Sequence, residues 1–218
     1  MYLSRLILNP RNRRVQKEVA DPYQMHRSLM NAFPDDLEPG DERVLFRLET
    51  HPRTGGLTLL VQSWTLPDWS WLAEPNAHDY LLPVSEPNPA VKSFDLDLAP
   101  GQVLAFRLRA NPTVKRKFES GDHKRVGLYG EEKQIEWLKR KGEQGGFRLL
   151  SARTSHQDII RGRIRRNGRT HKLQMLSVQF DGLLQVTDPD RLRESVQQGI
   201  GSGKALGFGL LSLAPPPA

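Results

Sequence analysis

The sequence predicts an α+β chain built from two tandem β-α-β-β-α-β domains. Three observations carry this. A short apolar strand ending in Asn-Pro opens each half, at Leu6-Ile-Leu-Asn9-Pro10 and at Arg107-Leu-Arg-Ala-Asn111-Pro112, which hints at an internal repeat. An Asp-Pro pair opens one helix in each half, at Asp21-Pro22 and Asp188-Pro189, with Asp as N-cap and Pro at the first helical position. Pro83, Pro87, Pro89 and Pro100 make 83–100 linker-like, so the expected division is 1–90, a linker at 91–100, and 101–218. The order of elements on either side of that linker is the ferredoxin-like pattern.

In chain order, Tyr2 to Leu8 alternates and reads as a strand. Arg11 to Lys17 reads as a basic loop. A helix follows from Asp21 to about Phe33, where Met25, Leu29, Met30 and Phe33 fit a 3.6-residue period. Arg43 to Glu49 and Leu57 to Thr65 form a hairpin across His51-Pro-Arg-Thr-Gly-Gly56. Asp68 to Leu72 is a helical turn and Tyr80 to Val84 a weak last strand, so the second helix of this half is short. The second half starts with a strand at Val103–Arg109, a basic loop at 113–125, and a helix from Glu131 to Lys141. Strands are expected at Phe147–Ala152, Ile159–Ile164 and Lys172–Phe180, the last two flanking Asn167-Gly168, a strong hairpin signal. A helix from Asp188-Pro189 to about Gln198 and a strand from Leu206 to Leu213 complete it.

Composition narrows the function. The 218 residues are 37% hydrophobic and carry a net charge of +7, with no cysteine, so disulfides, thiolate metal sites and a cysteine nucleophile are excluded. A pI near 9.9 is the electrostatic footprint of a nucleic-acid binder. No apolar run approaches the roughly 20 residues of a membrane span. The first residues lack a secretory signal pattern, so the cytoplasm is the expected location. His51, His78, His123, His156 and His171 lack metal-ligand spacing, and no paired-carboxylate site stands out, so no metal or other cofactor is expected.

The basic character concentrates. Between Ile159 and Phe180 there is no acidic residue, while Arg161, Arg163, Arg165, Arg166, Arg169 and Lys172 crowd the expected hairpin. Alternate arginines on a strand share a face, and such a ribbon can follow phosphates. A charged hairpin edge that merely resists aggregation is the plain alternative. The run Gly199-Ile-Gly201-Ser202-Gly203-Lys204-Ala-Leu-Gly207-Phe-Gly209 packs five glycines and one lysine into a turn that can present backbone N–H groups to an anion. A helix is expected before it and a strand after, the reverse of a dinucleotide-binding turn, and alanine follows Lys204 where a P-loop needs Ser or Thr. Trp64, Trp69 and Trp71 read as packing residues rather than base-stacking ones.

Tyr23 and His26, three apart on the first helix, share a face, with Arg27 beside them as a candidate contact to the scissile or an adjacent phosphate, a solvated surface charge being its plain alternative. An imidazole with a pKa near neutrality suits proton transfer during attack of an RNA 2′-oxygen on the adjacent phosphorus. A histidine that only packs the helix is the alternative.

An ordered set of segments runs from end to end: the strand ending in Leu-Asn-Pro; Asp21-Pro-Tyr-Gln-Met-His-Arg27; Pro67-Asp-Trp-Ser70; Phe106-Arg-Leu-Arg-Ala-Asn-Pro112; Gly145-Gly-Phe-Arg-Leu-Leu150; and Gly207-Phe-Gly-Leu-Leu-Ser212. In this the chain resembles the CasE family, the endoribonucleases that process CRISPR RNA in type I-E Cascade. The resemblance implies two ferredoxin-like domains, recognition of a CRISPR repeat stem-loop, and metal-independent cleavage at the 3′ base of the stem, leaving a 2′,3′-cyclic phosphate and a 5′-hydroxyl. It implies a monomer that keeps its product and joins the other Cascade subunits. Residue by residue, it implies His26 and Tyr23 as catalytic. It also implies that the basic hairpin and the glycine-rich run Gly201-Ser202-Gly203-Lys204 contact RNA. A non-catalytic RNA-binding subunit of a ribonucleoprotein is the competing reading.

Overall fold

Strand β1 (Tyr2–Leu8) lies inside its sheet, between β3 (Leu57–Ser63) and β4 (Ala90–Ser93), and its alternation buries Ser4, Leu6 and Leu8 on one face. With β2 (Leu45–Thr50) the sheet order is β2-β3-β1-β4, all antiparallel, with Tyr2 opposite Ser63 and Leu8 opposite Leu57. That order, the fourth strand beside the first and the third beside the second, is the ferredoxin-like arrangement the sequence predicts. The computed structural model describes all residues except 39, 118–120, 122, 167–168 and 218, and no side chain from 163 to 173.

Three expectations in the first half are corrected. The segment expected as a basic loop is helix α1 (Arg13–Ala20). The Asn12 side chain accepts from the backbone N–H of Arg14 and Val15, which caps the helix, but only Val15 and Glu18 are buried on it. So thin an apolar face leaves no periodicity to read. The weak strand expected at Tyr80–Val84 is a single bridge from Leu8 to Leu81, and the pairing strand is β4, ten residues later. Prolines before it suggested a linker, yet an edge strand tolerates proline at its start. Helix α2 (Pro22–Met30) starts as expected, since Asp21 accepts from the Tyr23 N–H, and stops one turn early, with Asn31 as its C-cap.

The second sheet repeats the plan. β5 (Val103–Ala110), β8 (Phe147–Arg166), β9 (Arg169–Val186) and β10 (Leu211–Ala214) line up as β10-β5-β9-β8. Helices α3 (Glu131–Gln144) and α4 (Pro189–Gln198) supply the two crossovers. The expected strands at 147–152 and 159–164 are one continuous strand. Its polar middle gave no apolar signal, and the chain passes through His156 at φ 49°. The expected loop at 113–125 is a hairpin, β6 (Thr113–Lys117) against β7 (His123–Gly127), in which Val114 opposite Val126 is the one apolar pair among basic residues. The last strand starts later than expected, because Gly207 and Gly209 adopt φ of 80° and 94° and turn the chain first. Asn167-Gly168, the expected hairpin turn, lies outside the described residues.

The chain forms two compact units, each contributed by three segments. The first comprises Met1–Asp95, Arg161–Leu173 and Lys204–Gly207; the second comprises Leu96–Ile160, Gln174–Gly203 and Phe208–Ala218. In the first, Leu6, Leu8, Val15, Met25, Leu29, Phe46, Leu59 and Tyr80 form the buried core, with Trp71 buried and Trp69 packed against it. Trp69 Nε1 donates to Ser4 Oγ at 3.2 Å, so these two tryptophans are packing residues as expected. In the second, Trp137 stacks on Phe180 at 6.1 Å between ring centroids, among buried Phe106, Leu138, Phe147 and Phe208. Gly182 is required where β9 meets β8, since a Cβ there would stand 2.1 Å from the Ser151 carbonyl oxygen. Among the described residues no helix is long and apolar enough to cross a membrane.

Candidate functional site

Helix α2 is clamped before it presents anything. Its neighbour α1 carries Glu18, only 4% exposed. Oε1 of Glu18 accepts from Arg14 Nε at 2.9 Å and from Ser28 Oγ of α2 at 2.5 Å, and Oε2 accepts from Tyr80 Oη at 2.6 Å. Burial and the Glu18 charge push the Tyr80 hydroxyl far up, so it keeps its proton and donates. The Arg14 guanidinium lies over the Trp71 and Tyr80 rings, at 4.9 and 5.6 Å from their centroids. These contacts join α1, α2 and the segment before β4 into one rigid block.

On another face of α2 stand Tyr23 and His26, their rings 6.4 Å apart and tilted by 40°. The imidazole stacks on Phe46 of β2, with centroids 6.2 Å apart and planes within 12°. Its Nδ1 is buried with no hydrogen-bond partner among the described residues, and burial holds the pKa below the ordinary 6.5. The ring is therefore neutral at pH 7, with Nε2 as the nitrogen left to meet a substrate.

The short 3-10 turn Lys204–Leu206 packs on α2 and β2. It ends at Gly207, where a Cβ would come 3.1 Å from Phe46 Cε2 at φ 80°. The ring behind His26 thus rests on the end of the glycine-rich run. The base of the basic hairpin arrives at the same place. Gly162 of β8 is buried, and a Cβ there would lie 3.6 Å from Asp21 Oδ1, the cap of α2, and 3.7 Å from Leu206. Arg161 beside it is exposed.

The structure thus gathers Tyr23, His26, Lys204 and the start of the basic hairpin in one unit. Arg27 is exposed, and its Nη1 reaches Gln24 Oε1 at 3.5 Å. The side chains of Arg163, Arg165, Arg166, Arg169 and Lys172 lie outside the described residues. Gly201, Ser202 and Gly203 fall in the other unit, and packing explains the two glycines there. A Cβ on Gly201 would meet the Trp137 ring at 3.3 Å, and one on Gly203 would meet Phe208 at 2.8 Å. Phe46 and Gly162 were not singled out by the sequence. A phenylalanine in a strand and a glycine in a basic run carry no mark of what they face.

The family model described as CRISPR associated protein matches residues 1–215. The CRISPR-associated endoribonuclease Cse3 of Thermus thermophilus is 41% identical over 223 residues, covering 99% of this chain and 100% of that protein. The chain belongs to the CasE family of CRISPR-associated proteins. A second family member, the CRISPR system Cascade subunit CasE of Escherichia coli, is 33% identical, again over 99% of this chain and 100% of that one. The fold agrees over the same span. A structure of the CRISPR endoribonuclease Cse3 bound to a 19-nucleotide RNA superposes with a TM-score of 0.83 at 39% identity, covering 99% of this chain and 100% of that chain. For this CasE-family chain, two ferredoxin-like domains are therefore established by both topology and likeness.

Proposed function

We propose that this chain is a metal-independent endoribonuclease that binds a CRISPR repeat stem-loop and cuts the precursor transcript at the 3′ base of the stem. The observation that carries the reading is His26, neutral and backed by Phe46, with Tyr23 on the same helix face and a basic hairpin rooted at the cap of that helix. His26 Nε2 takes the proton of the 2′-hydroxyl as that oxygen bonds to phosphorus. The P–O5′ bond breaks, and O5′ takes a proton from the Tyr23 hydroxyl. Lys204 and the hairpin cations offset the charge gathering on the phosphate. The products are a 2′,3′-cyclic phosphate and a 5′-hydroxyl. Two-metal chemistry needs a cluster of acidic ligands. Among the described residues no group of three or more His, Cys, Asp or Glu gathers at metal-binding distance.

The relatives named an endoribonuclease and a Cascade subunit support the same activity and a place in Cascade; the reading adds that the chain keeps its product there and works in the cytoplasm. The test incubates the protein with labelled repeat RNA in excess EDTA. Parallel tubes hold RNA with a 2′-deoxy at the cut site, and His26→Ala protein. A single cut in EDTA, lost with either change while binding persists, is expected. Binding with no cut in any tube would leave an RNA-holding subunit instead.

A further inference from the structure

Helix α2 has a second polar face that the cleavage reading does not use. Between α1 and α2 runs an open groove of about 490 Å³. Its floor is the Glu18–Ser28–Arg14 cluster, in which the Arg14 charge is matched by Glu18 and its Nη2 also donates to Ser28 Oγ at 2.9 Å. Its rim is Lys17 from α1 and Gln24, Arg27 and Asn31 from α2, all four exposed. Among the described residues neither Lys17 nor Arg27 has an ion-pair partner. With the floor neutral, the groove presents two positive charges and two side-chain amides. A clamped floor with exposed cations and amides at its edge suits phosphodiester oxygens and ribose hydroxyls.

The position of the groove says which phosphates. At 100° per residue, Gln24 and Asn31 lie well round the helix from Tyr23 and His26, and Arg27 lies between the two faces. Leu206 and the hairpin base meet at Asp21, the start of α2, and Gly207 backs the Phe46 ring on which His26 stacks, so a stem gripped by the hairpin approaches His26 from there. A strand leaving the cut on the other side of His26 passes Arg27 and meets the groove. Helix diameter makes that path on the order of two nucleotides long.

We infer that the α1–α2 groove binds the backbone of the RNA segment on the 3′ side of the cut, with Lys17 and Arg27 as its phosphate contacts. This rests on His26 being the cleavage centre. The segment is the leaving half of the substrate, so the groove strengthens binding of uncut transcript and adds nothing to the retained product.

The test uses repeat RNAs with a 2′-deoxy at the cut, extended by zero, one, two, four or eight nucleotides beyond it. Affinity is measured for wild type and for Lys17→Glu. Because these RNAs cannot be cut, the readout stands even if the chain proves not to be a nuclease. Wild type is expected to bind more tightly as the extension grows to about four nucleotides and then level off. Lys17→Glu should lose roughly five- to tenfold of that gain while binding the zero-extension RNA like wild type, and its salt slope on long RNAs should fall by about one. Asn31→Asp, which adds a negative charge at the rim without touching the floor, should act in the same direction. The inference is overturned if wild-type affinity ignores the extension. It is equally overturned if Lys17→Glu keeps the full gain, as a groove that docks a protein would, or weakens all lengths alike.

Discussion

Replacing Tyr80 with phenylalanine isolates the clamp that holds helix α2. Tyr80 is 1% exposed, and among the described residues its hydroxyl is the one donor to Glu18 Oε2, at 2.6 Å. Tyr80→Phe keeps the ring and its edge contact with Trp71, 5.6 Å between centroids, and removes one oxygen. What is lost is a hydrogen bond to a buried charge, about 1.5–3 kcal/mol. Glu18 at 4% exposure has little access to water as a substitute. For a chain of this length, melting falls about 2–4 °C per kcal/mol, so the expected drop is about 3–12 °C. Circular dichroism melting at pH 7 measures it. Glu18→Gln and the double variant close a cycle whose coupling should reach at least about 1 kcal/mol. A Tyr80→Phe melting point within about 1 °C of wild type, or a coupling near zero, would refute the claim that Glu18 ties α1, α2 and Tyr80 together.

Other outcomes follow from single contacts. Gly207→Ala puts a methyl 3.1 Å from Phe46 Cε2 at φ 80°. The left-handed conformation costs about 1–2 kcal/mol, and moving Phe46 disturbs His26, so single-turnover cleavage should slow while stem-loop affinity holds. Gly182→Ala brings a Cβ to 2.1 Å from the Ser151 carbonyl oxygen and 2.9 Å from Ala152 Cα, both backbone, so β8 and β9 must part. A loss of about 1–3 kcal/mol in a denaturant titration is expected. Because burial lowers the His26 pKa, the neutral base persists on acidification past 6.5, and the cleavage rate should fall only below that value. The same shift means the unfolded chain binds more protons between the lowered pKa and 6.5. Its contribution to stability is thus complete above 6.5 and lost as pH falls through the folded pKa. His26→Ala should flatten that part of a melting-against-pH curve.

Much of this was legible in the sequence where a local rule has a single meaning. Asp21-Pro22 and Asp188-Pro189 started helices, and the Asn-Pro pairs closed β1 and β5, because caps and proline act within a few residues. Tyr23 and His26 were legible as a pair through helix geometry alone. Elsewhere the deciding contact was remote in sequence. Helix α1 is held by Glu18 bonding to Tyr80, 62 residues away, and a buried glutamate looks like a surface one in a string of letters. The β6–β7 hairpin has one apolar pair, too little to show as a period. The ring behind His26 comes from β2 and is propped by Gly207, so its role emerges only once the 160 residues between Phe46 and Gly207 have been folded back.

The first unit is stitched from three stretches of chain that return to it after long excursions. A fragment ending at Asp95 would leave Phe46 without Gly207 and the cap of α2 without Gly162. The Tyr23–His26 face and the base of the basic hairpin therefore cannot be truncated or transplanted as separate modules. A protease nick near residue 100 would sever the peptide without freeing a working catalytic piece. The setting of His26 is completed only once Gly207 has been made, so a chain stalled or cut before it holds that histidine in an unfinished pocket.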